Sequence, residues 1–90
     1  MREHVITVDV YARQGDQPPR YRIYVDNNLL TERDFVWPGH EIYIKENILV
    51  NLEPGQHNLT VEQINSFGSI QAKNVTVNGA PSSWDFVVTE

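Results

Sequence analysis

Apolar and polar residues alternate along most of this chain. "HVITVDVYA" sets Ile6, Val8, Val10 and Ala12 on one side and Thr7, Asp9 and Tyr11 on the other. That is the period of a strand with one face against a core. "YRIYV" repeats it, with Tyr21, Ile23 and Val25 opposed to Arg22 and Tyr24. "DNN" at 26–28 predicts a hairpin turn, because Asp and Asn tolerate the positive φ such turns need. "LLTERDF" returns with a blurred parity, which predicts a short edge strand. "EIYIKENILVNL" is long and β-rich, "HNLTVEQI" sets Leu59 and Val61 on one face, and "IQAKNVTV" is a further strand. "WDFVVT" closes the pattern with Trp84, Phe86 and Val88 sharing a face. "RQGDQPPR", "NSFGS" and "NGAPSS" read as loops and turns by their Gly, Pro, Asn and Ser content. No stretch keeps a helical period. About seven or eight strands at this even spacing predict an all-β fold, one antiparallel β-sandwich of Ig-like or jelly-roll-like type spanning residues 1–90.

Two segments share a motif. "WPGHEIYI" begins at Trp37 and "EPGQHNLTV" at Glu53. Pro sets φ near −65° at the second position of a turn and Gly supplies positive φ at the third, so each Pro-Gly reads as a turn that launches a strand. His57 then shares a face with Leu59 and Val61, where a ring can hydrogen-bond the backbone of the incoming turn. His40 lies in its turn and is solvated. The separation of the two histidines matches no zinc spacing, so the repeat is turn chemistry.

One residue breaks the pattern. In "EIYIKENILVNL" the core-facing positions are Ile42, Ile44, Glu46, Ile48, Val50 and Leu52. An unbroken strand would bury the Glu46 carboxylate, which is costly unless it is paired. A bulge or break at Glu46-Asn47 would turn it outward, and this is the expectation. Twelve residues span roughly 40 Å as one strand, long for so small a domain. The other reading makes Glu46 a cation ligand or half of a buried ion pair.

Charge and composition then narrow the function. Ninety residues with 40% hydrophobic content make a modest globular core. Twelve acids against seven bases give a net charge of −5, which argues against nucleic-acid binding. There is no cysteine, so packing must carry stability. "MREHVITVDV" has no apolar segment of a secretory signal and no stretch reaches membrane-span length. The expected location is therefore a virion if the chain is phage-encoded and otherwise the cytoplasm, with no membrane partner.

Calcium takes six to eight oxygen ligands. Asp26, Asn28 and Glu46 are the candidates, with Asn27, Glu32, Asp34, Glu41 and Asp85 as further oxygens, but none falls in an EF-hand pattern. Tyr11, Tyr24 and Tyr43 fall on outward parities and Trp37 precedes a turn. Such rings anchor protein interfaces or stack on sugars, or they pair across strands on a solvated face. Ser66, Ser69, Ser82 and Ser83 sit in turns without a nucleophile elbow, and none of the three histidines pairs visibly with a serine or an acid. The expectation is a protein without catalytic residues and without an obligatory cofactor.

Two resemblances follow. "YRIYVDNNLL" with "VNLEPGQHNLTVEQI", about half of the chain, resembles calcium-dependent carbohydrate-binding modules of the xylan-binding kind. That likeness implies a loop calcium touching sugar hydroxyls, although Asn27-Asn28 stands where such a turn carries glycine. The whole chain, "YVDNNLLTERDFVWPGHEIYI" most of all, resembles small β-sandwich accessory proteins of tailed marine phages. That likeness implies a virion accessory or capsid decoration protein docked on a capsid or tail, with a face for protein or glycan.

Overall fold

The alternation is realised as strands in the computed structural model, which describes residues 2–13, 17–36 and 43–89. In chain order they are β1 (Arg2–Arg13), β2 (Arg20–Val25), β3 (Asn28–Asp34), β4 (Tyr43–Leu52), β5 (Gly55–Gln63), β6 (Ser69–Val77), β7 (Ala80–Pro81) and β8 (Asp85–Val88). They form two four-stranded antiparallel sheets, ordered β4-β1-β6-β7 and β3-β2-β5-β8. The fold is an all-β sandwich, measuring 45 × 22 × 17 Å. Among the described residues no helix is long and apolar enough to cross a membrane.

The core lies between the sheets. Ile6, Val8, Val10 and Ala12 of β1 meet Tyr21, Ile23 and Val25 of β2, with Ile48, Leu52, Leu59, Val75, Phe86 and Val88 around them. Phe35 and Pro19 join them fully buried, tied by the Phe35 N–H to the Pro19 carbonyl at 2.8 Å.

The turns follow their residue types. Asp26 and Asn27 both have positive φ, 52° and 67°, as a type I′ hairpin requires. Asn78 and Gly79, at 52° and 85°, make the β6–β7 hairpin the same way. Gly55 stands at φ +132° and opens β5 after Pro54. The Pro38-Gly39 turn and His40 lie outside the described residues.

Three expectations change. First, β4 has no break at Glu46-Asn47: its register with β1 runs unshifted from Arg2↔Leu52 to Tyr11↔Tyr43. The sandwich is elongated enough to hold ten residues of it as one strand, Ile42 lying outside the described residues, and Glu46 is buried at 5% exposure. The irregularities lie elsewhere. Asn74, at φ 60°, is the extra residue opposite Val8 where β6 bulges, and Leu30 is the extra residue in β3. The Leu30 bulge is what blurs the parity of "LLTERDF". β3 is an edge strand, as expected, though seven residues long. Second, "NGAPSS" contains the two-residue strand β7 as well as a turn. Third, Phe86 and Val88 face the core, but Trp84 precedes β8 and is 39% exposed.

Candidate functional site

Polar side chains gather in three places within the sandwich. The first is the seam where edge strands β3 and β4 of opposite sheets meet. Glu46 faces inward from β4, and Arg33 of β3 grips it with two bonds, Nε to Oε2 at 2.8 Å and Nη2 to Oε1 at 3.1 Å. The Tyr21 hydroxyl donates to Oε2 at 2.5 Å. The carboxylate is desolvated but fully engaged, and a buried charge persists on that condition. Burial, and then the bond to Glu46, hold the Tyr21 phenol well above its ordinary pKa.

The second lies at one end of the sandwich. The Asp26 carboxylate accepts the Asn58 N–H at Oδ1, 2.9 Å, and contacts His57 Nδ1 at Oδ2, 2.5 Å. The other ring nitrogen, Nε2, lies 2.7 Å from the Glu53 carbonyl oxygen. A carboxylate and a carbonyl can only accept, so both ring nitrogens donate and the imidazolium is the form that fits. The Glu53 carbonyl, and then the Asp26 carboxylate, raise the His57 pKa. Burial pushes the Asp26 carboxyl up, but the bonds from His57 and Asn58 outweigh it and lower the value overall. His57 thus does bond the incoming turn, as its position predicts. It also pairs with an acid, which sequence order conceals. Both nitrogens are occupied, so the ring is a tie between the β2–β3 and β4–β5 turns.

The third runs along β1 and has two faces, His4 on the inward side and Asp9 on the outward side. Buried His4 accepts at Nδ1 from the Asn78 amide, 2.8 Å, and Asp9 accepts at Oδ2 from the Asn74 amide, 3.0 Å.

The outer faces of the two sheets differ. On the sheet of β1 and β4, Tyr11 and Tyr43 are register partners with ring centroids 5.2 Å apart at 33°. Lys73 Nζ sits 4.3 Å above the Tyr11 ring, a cation–π contact. Further along, Val5 pairs with Leu49, 37% and 64% exposed. On the sheet of β2 and β3 the outer charges pair with one another, while Leu29 and Val87 stand 51% and 69% exposed. Arg20 pairs with Asp34 at 2.8 Å and Glu32 at 3.7 Å, Arg22 with Glu32 at 2.5 Å, and the Tyr24 hydroxyl with Glu62 at 3.3 Å.

Of the aromatic candidates, then, Tyr11 and Tyr43 come together, Tyr24 lies on the opposite side of the sandwich, and Trp37 lies outside the described residues. The calcium candidates are not assembled. Asp26 follows the end of β2, Glu46 is held by Tyr21 near its start, and Asn28 is an exposed residue opening β3. Among the described residues no group of three or more His, Asp or Glu side chains is placed to hold a metal ion. Sequence reasoning passed over Lys73, Val5 and Leu49. The last two were visible as apolar residues on outward parities.

Comparison with protein-family models, with curated proteins and with solved structures finds no match to this chain.

Proposed function

We propose that the chain is a non-catalytic interaction module that docks on a larger protein assembly through the outer face of the β1–β4 sheet. The observation that carries this is the contrast between the two faces. Tyr43 is 51% exposed beside Tyr11, with Lys73 over the platform, while the opposite face commits its charges to internal pairs. Large aromatic rings with a cation at the rim are what protein interfaces use as anchors. In its finer form, which draws on the phage resemblance, the assembly is a capsid or tail and the chain a virion accessory or decoration protein.

Occupancy tests this. Particles purified from a lysate expressing the chain carry it in fixed ratio to the major structural protein. Tyr43→Ala lowers that ratio and Tyr24→Ala, on the opposite face, leaves it unchanged. Particles without the chain would end the reading, and equal occupancy of both variants would move the interface elsewhere.

A further inference from the structure

Among the described residues β4 is the last strand of its sheet, and its ten residues pair on one side only. Which of its main-chain groups are free follows from bonds made by β1. The Val5 carbonyl accepts the Asn78 N–H at 2.7 Å, and the Val5 N–H donates to the Asn78 side chain at 2.9 Å. Odd residues of β1 therefore turn their main chain toward β6, and even residues toward β4. Their partners Ile44, Glu46, Ile48, Val50 and Leu52 bond back. The N–H and C=O groups of Tyr43, Lys45, Asn47, Leu49 and Asn51 are left facing out of the sheet. The Lys45 carbonyl accordingly takes the Asn47 side-chain amide, at 3.5 Å. A long exposed edge carrying apolar side chains is a template for another strand.

We propose that the occupant is a second copy of β4, added antiparallel about a twofold axis at Leu49. The charges select both partner and register. A twofold at residue 45 sets Lys45 on Lys45, and one at 46 sets Glu46 on Glu46 in the core layer. At 47 Lys45 faces Leu49, and at 48 Leu49 faces Asn47. A twofold at 49 instead sets Lys45 against Glu53 of the second copy, twice, and Leu49 against Leu49. Val5 flanks that contact from both copies, and Ile48 meets Val50 of the second copy in the core layer. The two sheets fuse into one eight-stranded sheet, an isologous contact. Lys45, which has no ion pair within the described residues, gains one.

Light scattering and a cysteine probe test the proposal. The wild-type chain runs as a dimer, and Leu49→Lys, a change at an exposed side chain, runs as a folded monomer. The chain has no cysteine, so a single introduced one reports alone. In a hydrogen-bonded antiparallel pair the Cα atoms lie about 5.5 Å apart, within disulfide reach. Leu49→Cys therefore oxidises to a covalent dimer. Tyr43→Cys, on the same face, does not, because its counterpart is roughly 40 Å away along the strand. Lys45→Glu weakens the dimer about tenfold, and adding Glu53→Lys restores it. A monomeric wild type, equal cross-linking at positions 43 and 49, or a Lys45→Glu dimer of undiminished affinity would each overturn the proposal.

Discussion

The outer faces of the two sheets are built from similar numbers of charges arranged to opposite effect. On the β2–β3 sheet each arginine lies across the strand from an acid: Arg20 from Asp34 and Arg22 from Glu32. The register itself closes those charge pairs, and the apolar side chains left open on this face are Leu29 and Val87, 51% and 69% exposed. On the β1–β4 sheet the cross-strand neighbours of Asp9 are Lys45 and Lys73. Lys73 is drawn over the Tyr11 ring instead, Tyr43 stands open beside that ring, and Leu49 stands open further along β4. Composition alone is blind to this difference. It comes from which strands are neighbours.

The largest effect is expected at the seam, where Arg33 of one sheet holds Glu46 of the other. Arg33→Ala leaves the buried Glu46 carboxylate with only the Tyr21 hydroxyl, and because the Arg33 side chain is itself 45% exposed the cost in urea unfolding should be about 2 kcal/mol, below that of a fully buried pair. Replacing both members of the pair, Arg33→Met together with Glu46→Leu, should recover most of that loss, since apolar residues of similar volume often match a buried pair. Loss from Arg33→Ala no greater than from an exposed pair would show that the seam does not depend on the bond.

The next effect is a pH dependence at the sandwich end. The His57 pKa is raised in the folded protein, so its contribution is fully present below the ordinary histidine value of about 6.5 and is lost as pH rises through the folded value. The Asp26 pKa is lowered, so its contribution is present above about 3.9 and lost as pH falls through the folded value. The tie is strongest between those limits. Thermal unfolding against pH should show that maximum, and His57→Phe should flatten the alkaline side. An unchanged slope in the variant would assign the dependence elsewhere.

Smaller still is Arg22→Ala, whose solvent-screened pair with Glu32 should change urea unfolding only slightly. Tyr43→Ala should leave urea unfolding nearly unchanged while it lowers occupancy on the assembly. The least effect is expected from calcium. Asp26 is engaged by His57 and Asn58, so the melting temperature should be the same in millimolar calcium and in chelator. An upward shift that Asp26→Ala abolishes would restore the carbohydrate-binding reading.

Inward and outward faces were legible because a period of two is written into each strand. The positive φ of the Asp26-Asn27 turn was equally plain. What the sequence hides is adjacency. Five of the seven connections cross from one sheet to the other, so sequence neighbours seldom pair. Glu46 stood out as an anomaly, but its partner Arg33 lies on a strand whose parity the Leu30 bulge scrambles. Without that partner a bulge in β4 is the simpler explanation of a core carboxylate. His57 was legible as a turn residue, whereas its acid lies across the sheet in the β2–β3 turn. The β6 bulge had a local signal, an asparagine at Asn74 able to take left-handed φ, inside a run that otherwise reads as regular strand.

The central place of β1 also sets the order in which the chain can fold. It precedes both of its partners in the chain, and β4 and β6 end only at Leu52 and Val77. The β2–β3 hairpin, closed by its own turn, can form within microseconds. β1 must wait for both flanking strands and for the loop-closure entropy they carry. Until β4 and β6 have been made it is an apolar strand with both edges open. The span from emergence of β1 to completion of β6 is the interval in which this chain is most exposed to aggregation.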